Sequence, residues 1–314
     1  MLNNGVKTKV GIYLYGNVLR MIEAQKEDDA IKIVHIAETK LSTPLDHTVL
    51  HNEEVMVEYV SAIKALVDTE NITPGSAHLA IDHRMTIEHI VAFDNDLSDT
   101  KLLEHVEWES GQSFISSREE YNIDYEKIVS LGTGIDRYLM IAVRKKVIKF
   151  FQQLFSNTKF RLTQIDLDKL AAIRTYKLLQ QPAEIAALVN CESKSYDIII
   201  IQNGEFIASE TLSYLDKEYE AEDLNRVARE LCHKINNQLQ QISNVVNTSG
   251  FSTVYFFGER LNRRLLSEVE QFQNQFRAVR FDPFQNIQQE LDSDASSYLQ
   301  NNSERFVYCL GMVI

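Results

Sequence analysis

Apolar and polar positions along this chain fall into a cycle that occurs twice. Lys9 to Tyr15, Val18 to Gln25 and Ile31 to Leu41 read as successive strands. The turns Gly16-Asn17 and Glu27-Asp28-Asp29 separate them, which predicts an antiparallel three-strand meander. Asn52 then stands as the cap of a helix running through Leu66. Val55, Tyr59, Ile63, Leu66 and Val67 recur at spacings of three and four along its buried face. A short apolar strand follows at Ser76 to Asp82.

The next section has its own character. Met85 to Phe93 reads as a strand, and Thr100 to about Gln112 as a helix whose apolar positions Leu102, Leu103 and Val106 sit among many acids. Tyr121 to Leu131 and Arg137 to Val143 form a strand pair joined by Gly132-Thr133-Gly134. The helix Lys145 to Phe155 carries a stripe of Val147, Ile148, Phe151, Leu154 and Phe155, which is a core stripe. A strand at Arg161 to Ile165 and a helix at Asp166 to Leu179 complete the first cycle.

The second cycle opens on three strands, Ile185 to Cys191, Tyr196 to Gln202 and Glu205 to Leu212, with Asn203-Gly204 as a tight hairpin turn. A polar helix from Ala221 to about Ile242, a strand at Thr253 to Phe257, a helix at Leu261 to Phe272 and a strand at Ala278 to Phe281 follow. The apolar run Phe306 to Ile314 closes the chain. A duplicated β-β-β-α-β-α plan predicts an α/β protein of two similar lobes facing a shared cleft.

Composition narrows the function. The 314 residues are 44% hydrophobic, enough for a sizeable core, and 11 glycines and 4 prolines leave little room for long linkers. A net charge of −13 disfavours a general nucleic-acid role, because phosphate backbones want clustered Lys and Arg. No apolar run reaches the roughly 18 residues a membrane span needs, and Met1 to Lys7 lacks the layout of a signal peptide. The expectation is a cytoplasmic protein with no segment inserted in a membrane.

Candidate chemistry is sparse. Cys191, Cys232 and Cys309 lie far apart with no CxxC spacing, and read as buried small residues in a reducing compartment. His78, His83, His89 and His105 share a region without a metal-binding pair, and are expected at the surface. His47 and His51 have an HxxxH spacing but fall in a predicted loop. No metal site is expected. Asp94, Asp96 and Asp99 lack the glycine and terminal Glu of a calcium loop and are better read as helix capping.

The local sequences give more. Gly11-Ile12-Tyr13-Leu14-Tyr15-Gly16-Asn17-Val18-Leu19-Arg20-Met21-Ile22-Glu23 lines up without gaps on the opening run of the PilM family, the actin-like proteins of type IV pilus assembly. Leu103 to Glu109, Met140 to Lys145, Gln164 to Asp168, Asp282-Pro283-Phe284 and Cys309 to Met312 resemble further runs of that family, in its order. The chain is also similar, less closely, to the division protein FtsA. This resemblance implies a duplicated actin-like (ribonuclease H-like) fold: a first lobe at 1–180, with a small extra subdomain at about 77–131, and a second lobe at 181–314.

Departures from the family pattern fall on its nucleotide elements. Tyr13 stands where the pattern has an acid that helps hold the metal, and Tyr15 replaces the first phosphate-loop glycine. Tyrosine side chains obstruct the close backbone approach that phosphates need. Glu192, in Val189-Asn190-Cys191-Glu192-Ser193, takes the place of a second-loop glycine, where a carboxylate repels a triphosphate. In Phe257-Gly258-Glu259-Arg260, only Gly258 survives of an adenosine turn. No GxxxxGK[ST] or GxGxxG occurs elsewhere to replace these loops. What remains of a nucleotide cleft is Gly16, Asn17, Ser193 and Gly258, with ATP and Mg as cofactors only if that cleft still works.

The resemblance therefore implies a non-catalytic scaffold or adaptor of a type IV pilus or type II secretion-like inner-membrane assembly. Its partner would be the N-terminal cytoplasmic peptide of a PilN-like bitopic membrane protein, docked between the extra subdomain and the first lobe. Glu104, Glu107 and Trp108 suit a basic juxtamembrane peptide, with Trp108 as an apolar anchor; equally, Trp108 reads as core and the acids as a solvated face. Pilus motor ATPases and a second copy of the chain are further partners in view. The alternatives are an ATPase whose nucleotide state sets partner binding, and an FtsA-like filament protein.

Overall fold

The computed structural model describes residues 7–27, 30–113, 117–130, 134–179, 185–192, 195–213, 224–246, 252–272 and 275–314. Two compact units divide the chain: Met1–Ala171 with Gln288–Leu291 and Met312–Ile314, and Ala172–Ile287 with Asp292–Gly311.

The first unit is built on a five-stranded sheet of order β13-β2-β1-β3-β7. Its strands are β1 (Lys7–Glu27), β2 (Ala30–Leu45), β3 (Ser76–Ile81), β7 (Arg161–Leu167) and the short β13 (Gln288–Gln289). β1 does the work of the two strands expected before and after Gly16. Lys9 to Tyr13 pair in parallel with β3, while Val18 to Glu27 pair antiparallel with β2. Gly16, at φ +55°, and a register shift between Gly16 and Val18 mark the change of partner. β3 and β7 are parallel, which leaves β7 at one edge of the sheet.

Helix α1 (Glu53–Thr69) packs on this sheet through the five residues that its periodicity predicts, Val55, Tyr59, Ile63, Leu66 and Val67. The Asn52 side chain accepts from the backbone N–H groups of Glu54 at 2.9 Å and Val55 at 3.4 Å, satisfying donors that have no partner within the helix. Helix α3 (Lys145–Ser156) buries Val147, Phe150, Phe151, Leu154 and Phe155 in the same core. Ile148, which the stripe reading places in that core, is only half-buried. Helix α4 (Asp168–Lys177) follows β7 directly.

A second, three-stranded antiparallel sheet of order β4-β6-β5 lies within the first unit: β4 (Thr86–Asp94), β5 (Tyr121–Ser130) and β6 (Ile135–Arg144). Helix α2 (Asp99–Ser113) covers it with Leu102 and Val106, which meet Met140, Phe93, Ile123, Tyr125 and Tyr138. This small sheet runs over residues 86–144. β3 belongs to the larger sheet and β6 to the smaller one, so the layer is displaced from the expected span of 77–131.

The second unit repeats the plan. Its sheet has the order β10-β9-β8-β11-β12: β8 (Ile185–Cys191), β9 (Ser195–Gln202), β10 (Glu205–Ser213), β11 (Ser252–Phe257) and β12 (Phe276–Arg280). Here the first two strands are separate, and β9 and β10 meet at Asn203 (φ +50°) and Gly204 (φ +78°), the left-handed pair that a tight hairpin requires. Every residue of β8 and β9 is buried, as expected for central strands covered on both faces. Helices α5 (Leu224–Val246), α6 (Arg263–Phe272), α7 (Ser293–Asn302) and α8 (Val307–Gly311) complete the unit.

Candidate functional site

Around the opening strand, the tyrosines do more than occupy space. The Tyr13 side chain is buried, and its hydroxyl donates to Asp82 Oδ2 at 3.1 Å. Asp82 is fully buried at the end of β3, where the strand gives way to a short 3₁₀ turn, His83–Met85. Arg84 closes on the same carboxylate: Nε donates to Oδ1 and Nη2 to Oδ2, each at 2.7 Å, and its backbone N–H adds a bond at 2.8 Å. The guanidinium carbon also stands 4.2 Å from the centre of the Tyr15 ring, close enough for a cation–π contact. A carboxylate, a guanidinium and two phenols are thus spent on one another around the opening strand.

His83 extends the cluster. Its Nδ1 lies 3.1 Å from Asp168 Oδ2 and 3.9 Å from Asp82 Oδ1, and all three residues are buried. Burial raises the Asp168 carboxyl above its ordinary range, opposed by His83 beside it. Asp168 Oδ1 accepts from the Lys169 backbone N–H, and the Lys169 ammonium pairs with Glu88 at 3.0 Å. Asp82, His83 and Asp168 could offer one ligand atom each within 4.8 Å. Both Asp82 oxygens already face Arg84, however, so the guanidinium holds the place of a cation. His83 and His78 are buried, which corrects the expectation that these histidines lie at the surface; His89 and His105 are exposed.

In the second unit the corresponding turns are also closed. Gly258 has φ +103°, and a Cβ there would fall 2.3 Å from Asn190 Oδ1 and 2.8 Å from the Cys191 backbone. Only glycine fits this approach. The Gly258 and Arg260 backbone N–H groups donate to Glu304 and Cys191 carbonyls, and that of Glu192 to Ser195. These amides are engaged within the protein. Burial pushes the Cys191 thiol well up, and all three cysteines are buried and free. Ser193 lies outside the described residues; Gly16 is half-buried and Asn17 exposed. Among the described residues, the groups of each turn are engaged with others of their own unit.

A different feature has room. Between the edge strand β7 and the edge strand β5 runs a groove of about 290 Å³. Ile81, Ile123, Ile141, Val143, Ile148, Ile165 and Leu167 give it an apolar lining, and Asn122, Asp124 and Asp166 supply its polar groups. This is where the outward turn of Ile148 on α3 leads. An adjoining depression is lined by Leu103, Glu107, Arg118, Glu119, Tyr121 and Lys145, among others. Glu107 there is ion-paired with Arg118. Glu104 and Trp108 line neither; both are exposed on α2, Trp108 at 62%, so the reading of Trp108 as core does not hold. The groove itself was not legible in the sequence, since it joins strands from two sheets whose residues carry only ordinary strand periodicity.

Similarity to known proteins agrees with this architecture. The family model for the type IV pilus assembly protein PilM matches residues 11–214, well over half of the chain. No curated protein matches the sequence. Among solved structures, the chain is similar to the PilM-PilN type IV pilus biogenesis complex at a TM-score of 0.70, with 14% identity over 97% of each chain. It is also similar to the cytoplasmic domain of EpsL, an inner-membrane component of the type II secretion system of Vibrio cholerae, at 0.45 and 10% over 94% of each chain. A Bacteroides thetaiotaomicron protein of unknown function with an actin-like ATPase fold scores 0.47, at 10% identity, over 91% of this chain and 98% of that one. The duplicated actin-like α/β fold expected from the sequence is the fold found.

Proposed function

Since this chain belongs to the PilM family of type IV pilus assembly proteins, we propose that it serves as a non-catalytic adaptor at the cytoplasmic face of the inner membrane. It holds the short cytoplasmic segment of a PilN-like membrane protein in the groove between β5 and β7. The groove carries this reading. Edge strands offer unpaired backbone groups to an extended peptide, and an apolar lining takes its alternate side chains. Asp124 and Asp166 favour a segment with a basic residue. Such a partner tethers the chain to the membrane; among the described residues no helix is long and apolar enough to cross one. The non-catalytic part of the reading is supported by the Tyr13–Asp82–Arg84–Tyr15 cluster, at residues the resemblance aligns with the first phosphate loop, and by the close packing at Gly258.

Fluorescence polarisation with a labelled peptide matching the N-terminal segment of the cell's PilN-like protein tests this. Binding should saturate, and Ile123→Asp or Ile165→Asp should weaken it by at least about tenfold, as expected for charge placed in an apolar anchor site. Trp108→Ala should leave it unchanged. If Trp108→Ala abolishes binding while the groove variants bind normally, docking is on the exposed face of α2 and the groove reading fails.

A further inference from the structure

From Arg137 to Ile165 the chain has seven cations and no acid across 29 residues, within a protein of net charge −13. Two of the seven are committed locally: Arg144 contacts Tyr121, and Arg137 is partly buried with its pKa lowered by that burial. The other five are Lys145, Lys146 and Lys149 on α3, Lys159 in the turn that follows it, and Arg161, which opens β7 and alternates with the core-packed Leu162, on the other side of the sheet from α3. Four are exposed and Lys146 is half-buried. None of the five makes an ion pair among the described residues. Helical spacing puts Lys145, Lys146 and Lys149 on one strip with Gln152, Gln153 and Ser156, the side of α3 opposite its buried phenylalanines. Lys145 and Lys146 stand in the first helical turn, where the helix dipole favours anions. They weaken the helix rather than stabilise it, so helix stability does not explain them.

The same helix borders the groove: Ile148 lines it, one residue from Lys149, and Lys145 lines the adjoining depression. We propose that this basic face of α3, continued by Lys159, rests on the anionic phospholipid surface of a bilayer. Its orientation toward the bilayer rests on the reading that a membrane protein's cytoplasmic segment fills the groove, because that segment brings the bordering surface up to the headgroups. The strip exposes Gln and Ser between its lysines and no large apolar side chain. The contact is therefore electrostatic and shallow, without insertion, and is screened by salt. Each cation near an anionic surface changes partition roughly fivefold. A face of four can hold the chain against the repulsion of its overall negative charge.

The test is co-sedimentation of the full chain, without any partner, on vesicles of phosphatidylglycerol mixed with phosphatidylcholine and on phosphatidylcholine alone. Binding should be at least several-fold greater on the mixed vesicles and should fall at half-molar salt. Lys146→Gln, Lys149→Gln and Lys159→Gln combined should reduce it to the phosphatidylcholine level. A control carrying Lys64→Gln and Lys101→Gln should bind as wild type, and circular dichroism melting should show both variants folded. Equal binding to both vesicle types, no binding to either, or a combined variant that binds as wild type would overturn the proposal. A chain that binds the peptide in solution but not the vesicles keeps the groove reading and loses this one. A chain that binds the vesicles but not the peptide retains a basic lipid-facing surface and loses the groove.

Discussion

Arg84 binds one carboxylate through two side-chain nitrogens and its own backbone, and lays its guanidinium over Tyr15. Asp82 can remain buried only while such a cation faces it. Arg84→Met keeps much of the side-chain bulk over Tyr15 but leaves a buried carboxylate with the Tyr13 hydroxyl, a backbone N–H and the His83 ring 3.9 Å away. The expected loss is about 3 kcal/mol, the usual cost of removing one partner from a buried pair, measurable as a lowered urea midpoint. A variant within about 0.5 kcal/mol of wild type would mean that Asp82 finds other solvation. Tyr13 and Tyr15 stood out in the sequence because they break a family pattern. Their partners did not, because Asp82 lies 69 residues from Tyr13 and Asp168 lies 85 from His83, and nothing in local periodicity joins residues so far apart. The burial of His83 is hidden for the same reason, its carboxylate partner being distant in sequence, whereas the His78 ring meets the nearby Ser76 hydroxyl.

At the scale of elements, strong periodicity and capping chemistry were legible and weak signals were not. α1 was readable from Asn52 and five apolar residues, all of which the structure buries. Asn52→Ala should cost about 1 kcal/mol by removing the acceptor for two terminal N–H groups, and thermal melting should show it; an unchanged melting temperature would mean that water replaces the cap without loss. α7 went unseen because Ser293 to Asn302 is almost entirely polar and buries only Leu299, although Asp292, which accepts from the Ala295 N–H, is a sequence-level start signal. On α2 the apolar residues were visible but not which of them face the sheet: Leu102 and Val106 do, while Leu103 and Trp108 are exposed.

For the whole molecule, the duplication was legible because both cycles carry the same order of strands and helices, and both sheets bear it out. Nucleotide binding by this fold is a matter for calorimetry. A triphosphate present at about a hundred times its Kd would stabilise the native state by about 2.7 kcal/mol, a shift of several degrees for a protein of this size. With millimolar ATP and magnesium we expect no shift in the melting temperature, because Arg84, Tyr13 and Tyr15 are engaged with one another and Asp82, and Gly258 closes on Asn190. A clear upward shift would return the chain to the active ATPases.

The two strand edges that frame the groove bear on how much of this chain a cell can safely make. Among the described residues, β5 and β7 each end a sheet with backbone groups that no neighbouring strand takes up, and an uncapped edge accepts any extended segment that reaches it, including one from a misfolding neighbour. Copies made in excess of their partner would be the ones at risk of clumping. Matched synthesis of the two proteins would then act as a form of quality control, with each new partner segment shielding the edges as it arrives.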